Sequence, residues 1–185
     1  MHKTSLVAEQ LLIRVLKRAK ELIDKGEKLN ASKSLSYFLY NKIGPENFSS
    51  ETLSVFARLD DYDIISAMKE WQYHNDFVLS NLCNMIINRD LLKVKIKKKK
   101  PSVEKLEKRR IALQEKESIS AEEADYFVFS GEVTNTAYKS ENNNINILHK
   151  NGKISDVAKA SDRLNLKALS KTVVKYYICY PKAKH

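Results

Sequence analysis

At 185 residues, with 33 Lys and Arg against 23 Asp and Glu and a net charge of +10, the chain is long enough for one ordinary domain with its own core, or for the trailing portion of a larger protein. No apolar run approaches the roughly 20 residues that a membrane span needs, and the start lacks the apolar stretch of a signal peptide, so the sequence reads as cytoplasmic with no membrane partner. Two cysteines, Cys83 and Cys179, lack metal-ligand spacing and read as reduced core residues, which excludes a cysteine-based metal site.

The pattern predicts a first helix from about Leu6 to Lys25, with Ala8, Leu11, Leu12, Val15, Leu16, Ala19, Leu22 and Ile23 on one face and Gly26 stopping it. His2-Lys3-Thr4 offers only a weak cap. So apolar a helix needs a large partner surface, as if a domain preceded it. Ser32 or Ser34 should open a short helix through Tyr37 and Leu39, ended by Gly44-Pro45, and Ser49 or Ser50 should cap the turn carrying Leu53, Val55 and Phe56. Asp60, Asp61 and Asp63 open the next helix, whose Ile64, Ala67, Met68 and Trp71 fall at helical spacing. After Tyr73-His74-Asn75-Asp76 comes a helix so widely apolar, from Val78 to Ile87, that it must be buried on most sides. Asn88-Arg89-Asp90 ends it, and Leu92 to Ile96 alternates apolar with Lys as a half-buried strand does.

Pro101 and Ser102 should begin a charged surface helix reaching about Lys116, with Val103, Leu106 and Leu113 as its narrow apolar stripe. Ser120 with Glu122 and Glu123 suggests a short turn, and Tyr126 to Val133 a strand. Asn142 to Asn144 reads as a loop, Ile145 to Leu148 as a strand, Asn151-Gly152 as a two-residue hairpin turn and Ile154 to Val157 as the returning strand. A short helix from Ser161-Asp162 through Leu166 and Leu169 precedes a last strand, Val173 to Tyr180, closed by Pro181. The fold class is therefore α+β, a helical N-terminal half followed by a small antiparallel sheet with short helices. Residues 1–90 form the helical region and 91–185 the α+β region.

The middle of the chain carries a resemblance. Leu59-Asp60-Asp61, Asp63-Ile64 and Trp71, then His74, Asp76 and Val78-Leu79-Ser80, then Asn88-Arg89, Leu91 and Lys93-Val94, resemble the region that follows the catalytic core in bacterial HD-domain phosphohydrolases of the deoxynucleoside triphosphate triphosphohydrolase branch. His2-Lys3 running into an apolar helix resembles the long helix after the metal-binding part of those proteins. The tail, with Tyr126 to Phe129, Leu148 to Gly152 and Lys175 to Pro181, more loosely resembles their C-terminal end.

The resemblance implies a C-terminal accessory portion that continues a missing HD domain, packs on it, supports a homo-oligomer and senses a nucleotide. HD enzymes bind divalent metal through a His, an adjacent His-Asp pair and a distant Asp. Here none of the four histidines is followed by Asp, so the metal belongs to the parent's missing HD domain, no cofactor is expected in this chain, and the chain alone should not hydrolyse nucleotides. His2 and Lys3 look like the pair beside the parent's substrate pocket. Arg89 and Lys93 resemble basic residues that some members aim at the triphosphate of an allosteric nucleotide, with Lys95 and Lys97 extending the same strand; a solvated edge strand protected by lysines is the simpler alternative. His74-Asn75-Asp76 reads as a polar helix junction and the Asp60 cluster as a cap.

Charge leaves a second reading open. Lys93 to Lys116 holds eleven Lys and Arg against three Glu, a net of +8, leaving +2 for the rest of the chain. Such a segment could grip nucleic acid, although it lacks interleaved aromatics for base stacking. The bias towards Lys, Asn and Ile is also what a genome's base composition produces. A purely structural domain joining subunits through the first helix is the third alternative.

Overall fold

The computed structural model describes residues 2–135, 146–156 and 173–182. Helix α1 (Lys3–Asp24) starts three residues earlier than the periodicity suggests; His2 stands at its N-cap without a side-chain bond, and Gly26, at φ +94°, takes the left-handed position beyond its end. Ser32 caps α2 (Lys33–Tyr40) by accepting from Leu35 N, and Ser49 caps α3 (Ser50–Phe56) by accepting from Thr52 N. Between them Pro45–Asn47 makes a 3-10 turn. Asp60 caps α4 (Asp61–Trp71), and the Asp63 carboxylate reaches back to Asp60 N at 2.9 Å, a reciprocal box that satisfies two orphan amides. The Asp60 cluster is thus helix-start chemistry.

Helix α5 (Phe77–Ile87) is the centre of the core. Val78, Leu79, Leu82 and Cys83 are fully buried, each branched side chain contributing about 2 kcal/mol of transfer energy. α1 packs along α5 and α2, and α4 lies along α5. Trp71 is buried, and its indole donates to Asn30 O at 2.8 Å, tying α4 to the segment after α1. By contrast Leu53 and Phe56 of α3 are more than half exposed, so this turn is apolar without being core.

Strand β1 (Lys93–Lys97) leads to α6 (Val103–Glu117), α7 (Ala121–Phe127), β2 (Phe129–Asn135), a hairpin of β3 (Asn146–Leu148) and β4 (Ile154–Asp156), and β5 (Val173–Tyr180). The main sheet is antiparallel in the order β1-β5-β2, so the last strand lies between the first two. One buried cluster runs from Leu6 through α5 to Tyr180, and the fold is α+β.

Four local expectations fail. Tyr126 and Phe127 belong to α7 and not to a strand, because Ser120 and Glu123 box its start and both rings are buried. Ser102 stands at the N-cap of α6 but its side chain accepts nothing, and Val103 is 79% exposed, leaving Leu106 and Leu113 as the inner stripe. In the hairpin, Gly152 N donates to His149 O, which puts Lys150 and Asn151 in the centre of the turn and Gly152, at φ +80°, just after it. That is a three-residue loop with a left-handed glycine in place of the Asn-Gly primed turn. Gly44-Pro45 does not end α2, which stops at Tyr40 with Asn41 as its C-cap. The loop at Asn142 to Asn144 and the helix expected from Ser161 lie outside the described residues.

Candidate functional site

The residues predicted to meet phosphate fall in one stretch, from the end of α5 through β1. Arg89 follows the C-cap Asn88 with φ 57°, and its N–H donates to Ile86 O at 3.2 Å. This is the left-handed position after a helix where glycine or asparagine is favoured, and an arginine there is held at a cost of about 1 kcal/mol. Four residues on, β1 alternates as expected: Lys93, Lys95 and Lys97 are exposed, Val94 and Ile96 half-buried. A single sheet face therefore carries all three ammonium groups.

Register fixes what lies beside them. Lys93 stands opposite Tyr180, Lys95 opposite Ile178 and Lys97 opposite Tyr176. Tyr180 is buried; the Arg109 guanidinium of α6 lies 3.7 Å from its ring centre, and Lys95 Nζ lies 6.0 Å from the same centre. Tyr180 is the site residue that sequence reasoning missed, and Arg109 was legible only as one cation of the basic segment. Arg109 follows Lys105 by one helical turn, a visible spacing, but nothing local places α6 over β5.

The opposite sheet face is structural. Val94, Ile96, Tyr177, Cys179 and Phe129 share it, and Arg14 of α1 stacks 3.2 Å from the Phe129 ring centre while donating to Gln10. Cys83 and Cys179 are free and buried, and burial pushes both thiols up to about 12.

His2 and Lys3 lie exposed at the start of α1, and among the described residues no hydrogen bond or ion pair joins them to Arg89 or the β1 lysines. His74 and Asp76 are committed elsewhere. His74 Nδ1 accepts from Asp76 N at 3.0 Å and its Nε2 lies 3.3 Å from Glu27. Arg18 grips Asp76 with both arms, Nε to Oδ1 at 3.0 Å and Nη2 to Oδ2 at 2.6 Å, and Asp76 Oδ1 also caps α5 at Leu79 N. Burial raises the Asp76 carboxyl, but the Arg18 bond and the Leu79 amide outweigh it and hold the group below the ordinary carboxylate range. Among the described residues no group of three His, Cys, Asp or Glu is placed to hold a metal ion, and no helix is long and apolar enough to cross a membrane.

No protein-family model matches the sequence. A solved phosphohydrolase from Bacteroides thetaiotaomicron VPI-5482 is similar to 98% of this chain, with 39% sequence identity and a TM-score of 0.82, and the chain covers 46% of it. The uncharacterized protein YwfO of Bacillus subtilis (strain 168) is 30% identical over 90 residues, which is 49% of this chain and 19% of YwfO. The chain thus spans about half the length of the solved structure and a fifth of the curated relative.

Proposed function

We propose that this chain is the C-terminal accessory portion of a metal-dependent phosphohydrolase of the HD superfamily that acts on nucleotides. Residues 1–90 continue the catalytic HD domain, and residues 91–185 form an accessory α+β region that packs on it, supports a homo-oligomer and senses a nucleotide. The observation that carries the reading is the 39% identity over 98% of this chain to a phosphohydrolase roughly twice as long. A divalent metal implied by that family does not fit the residues described here: His74 and Asp76, the nearest candidates, are engaged with Glu27 and Arg18. No catalytic step is therefore assigned to this chain.

Nucleotide sensing rests on Arg89 and on Lys93, Lys95 and Lys97. The three lysines share an exposed face, none of the four cations has a carboxylate within ion-pair distance among the described residues, and Arg89 occupies a backbone conformation that glycine would take at less cost. A flexible ammonium row suits a triphosphate as point charges, and the guanidinium adds a planar fork. A thermal-shift screen with deoxynucleotides, GTP and ATP, each at low and raised salt, tests the reading. At least one nucleotide should raise the melting temperature at both salts. A flat response throughout would remove the sensing role.

A further inference from the structure

We propose that the surface running from β1 through the Lys97–Lys100 turn to the flank of α6 is a binding face for the phosphate backbone of duplex nucleic acid, read without regard to sequence. Of the eleven cations between Lys93 and Lys116, Arg110 pairs with Glu107 and Asp125 and also donates to Val128 O, so it ties α6 to α7 and the start of β2. Lys116 pairs with Glu117. The other nine have no carboxylate within ion-pair distance among the described residues. Glu104, Glu107 and Glu115 stand among them, but none pairs with these nine, and Lys95 of the strand and Arg109 of the helix meet at one ring, Tyr180.

The fold makes this one surface. Lys93, Lys95 and Lys97 point from the sheet face over which Arg109 lies, Lys105 is one turn before Arg109 on the same flank of α6, and the exposed Lys98 to Lys100 join strand to helix. Summed over a strand, a turn and a helix flank, this unneutralised charge is complementary to a polyphosphate backbone, which releases counterions when such cations replace them. The aromatic content decides between duplex and single strand. Tyr180, beside Lys93, is 7% exposed and already covered by Arg109, and Tyr176, opposite Lys97, is half-buried, so neither offers a fully open ring on which an unpaired base would stack. Phosphate contacts without stacking suit a duplex.

Fluorescence anisotropy of the full chain with two labelled duplexes of unrelated sequence, the matching single strands, and vesicles of anionic lipid tests the proposal. Both duplexes should bind alike, with affinity falling at least about 100-fold between about 50 and 200 mM salt. Replacing Lys98, Lys99, Lys100 and Lys105 by Gln should weaken duplex binding about 100-fold or more at low salt and make the salt slope shallower by roughly three to four units, with the melting temperature unchanged. Because Arg89 and Lys93 are untouched, the same variant should keep any nucleotide response, so failure here and failure of the sensing role are separable. Equal binding by wild type and the fourfold variant, tighter binding of single strand than duplex, or binding to vesicles alone would overturn the proposal.

Discussion

Arg89 holds a conformation that costs a residue with a β-carbon about 1 kcal/mol, and its side chain has no carboxylate partner among the described residues. Arg89→Gly should therefore leave the protein as stable as wild type or up to about 1 kcal/mol more stable by denaturant melting, while reducing a nucleotide-induced shift. The Arg18–Asp76 pair is the opposite case. Both side chains are 12% exposed, and the pair joins α1 to the first turn of α5. Asp76→Asn should cost roughly 2–3 kcal/mol at pH 7, since it leaves Arg18 without its bidentate partner. The Asp76 pKa is depressed in the folded state, so its contribution is full above the unfolded carboxylate value of about 3.9 and is lost as pH falls through the folded value. Wild type and variant stabilities, followed by urea melts along a pH series, should converge at the acid end. At this scale the sequence was informative: capping residues announce themselves by type and spacing, and Ser32, Ser49 and Asp60 all cap the helices they precede. The geometry of Arg89 was not legible, because nothing about an arginine signals a positive φ.

Among the elements, α5 and α6 differ in how much they bury, and substitutions should follow that difference. Leu82→Ala, in a fully buried position of α5, should cost about 3 kcal/mol, whereas Val103→Ala, at an exposed position of α6, should stay within about 0.5 kcal/mol in the same chemical melt. Ser120→Ala removes half of the box that starts α7 and should cost about 1 kcal/mol. Helix and strand boundaries were readable where periodicity and punctuation agreed, as at β1, where lysine alternation matched the pleat. They failed where residues of high β-propensity close a helix: Tyr126 and Phe127 are held helical by the Ser120–Glu123 start and by packing, with Phe127 edge-on to Phe77 at 5.8 Å. Val103 misled for a related reason, since an apolar residue in a helix's first turn counts towards a stripe by spacing alone, while its burial depends on what lies opposite.

For the whole molecule, the α+β composition and the basic segment were visible in the sequence, but the β1-β5-β2 order was not, because it requires the last strand to insert between two that precede it. That insertion puts Tyr180 beside Lys93 and allows α6 to bring Arg109 over it. The same long-range pairing turns a lysine-rich stretch into a surface of defined composition. The proposed sensing role takes the basic stretch from Arg89 along β1 as its working part. The most direct test is calorimetric titration of the nucleotide selected by thermal shift into wild type and Arg89→Gly. Loss of a charge-assisted contact worth about 1.5–3 kcal/mol should weaken binding roughly 10- to 100-fold in the variant with no loss of stability. Equal affinity for both proteins, or no measurable heat with either, would contradict a nucleotide site at Arg89.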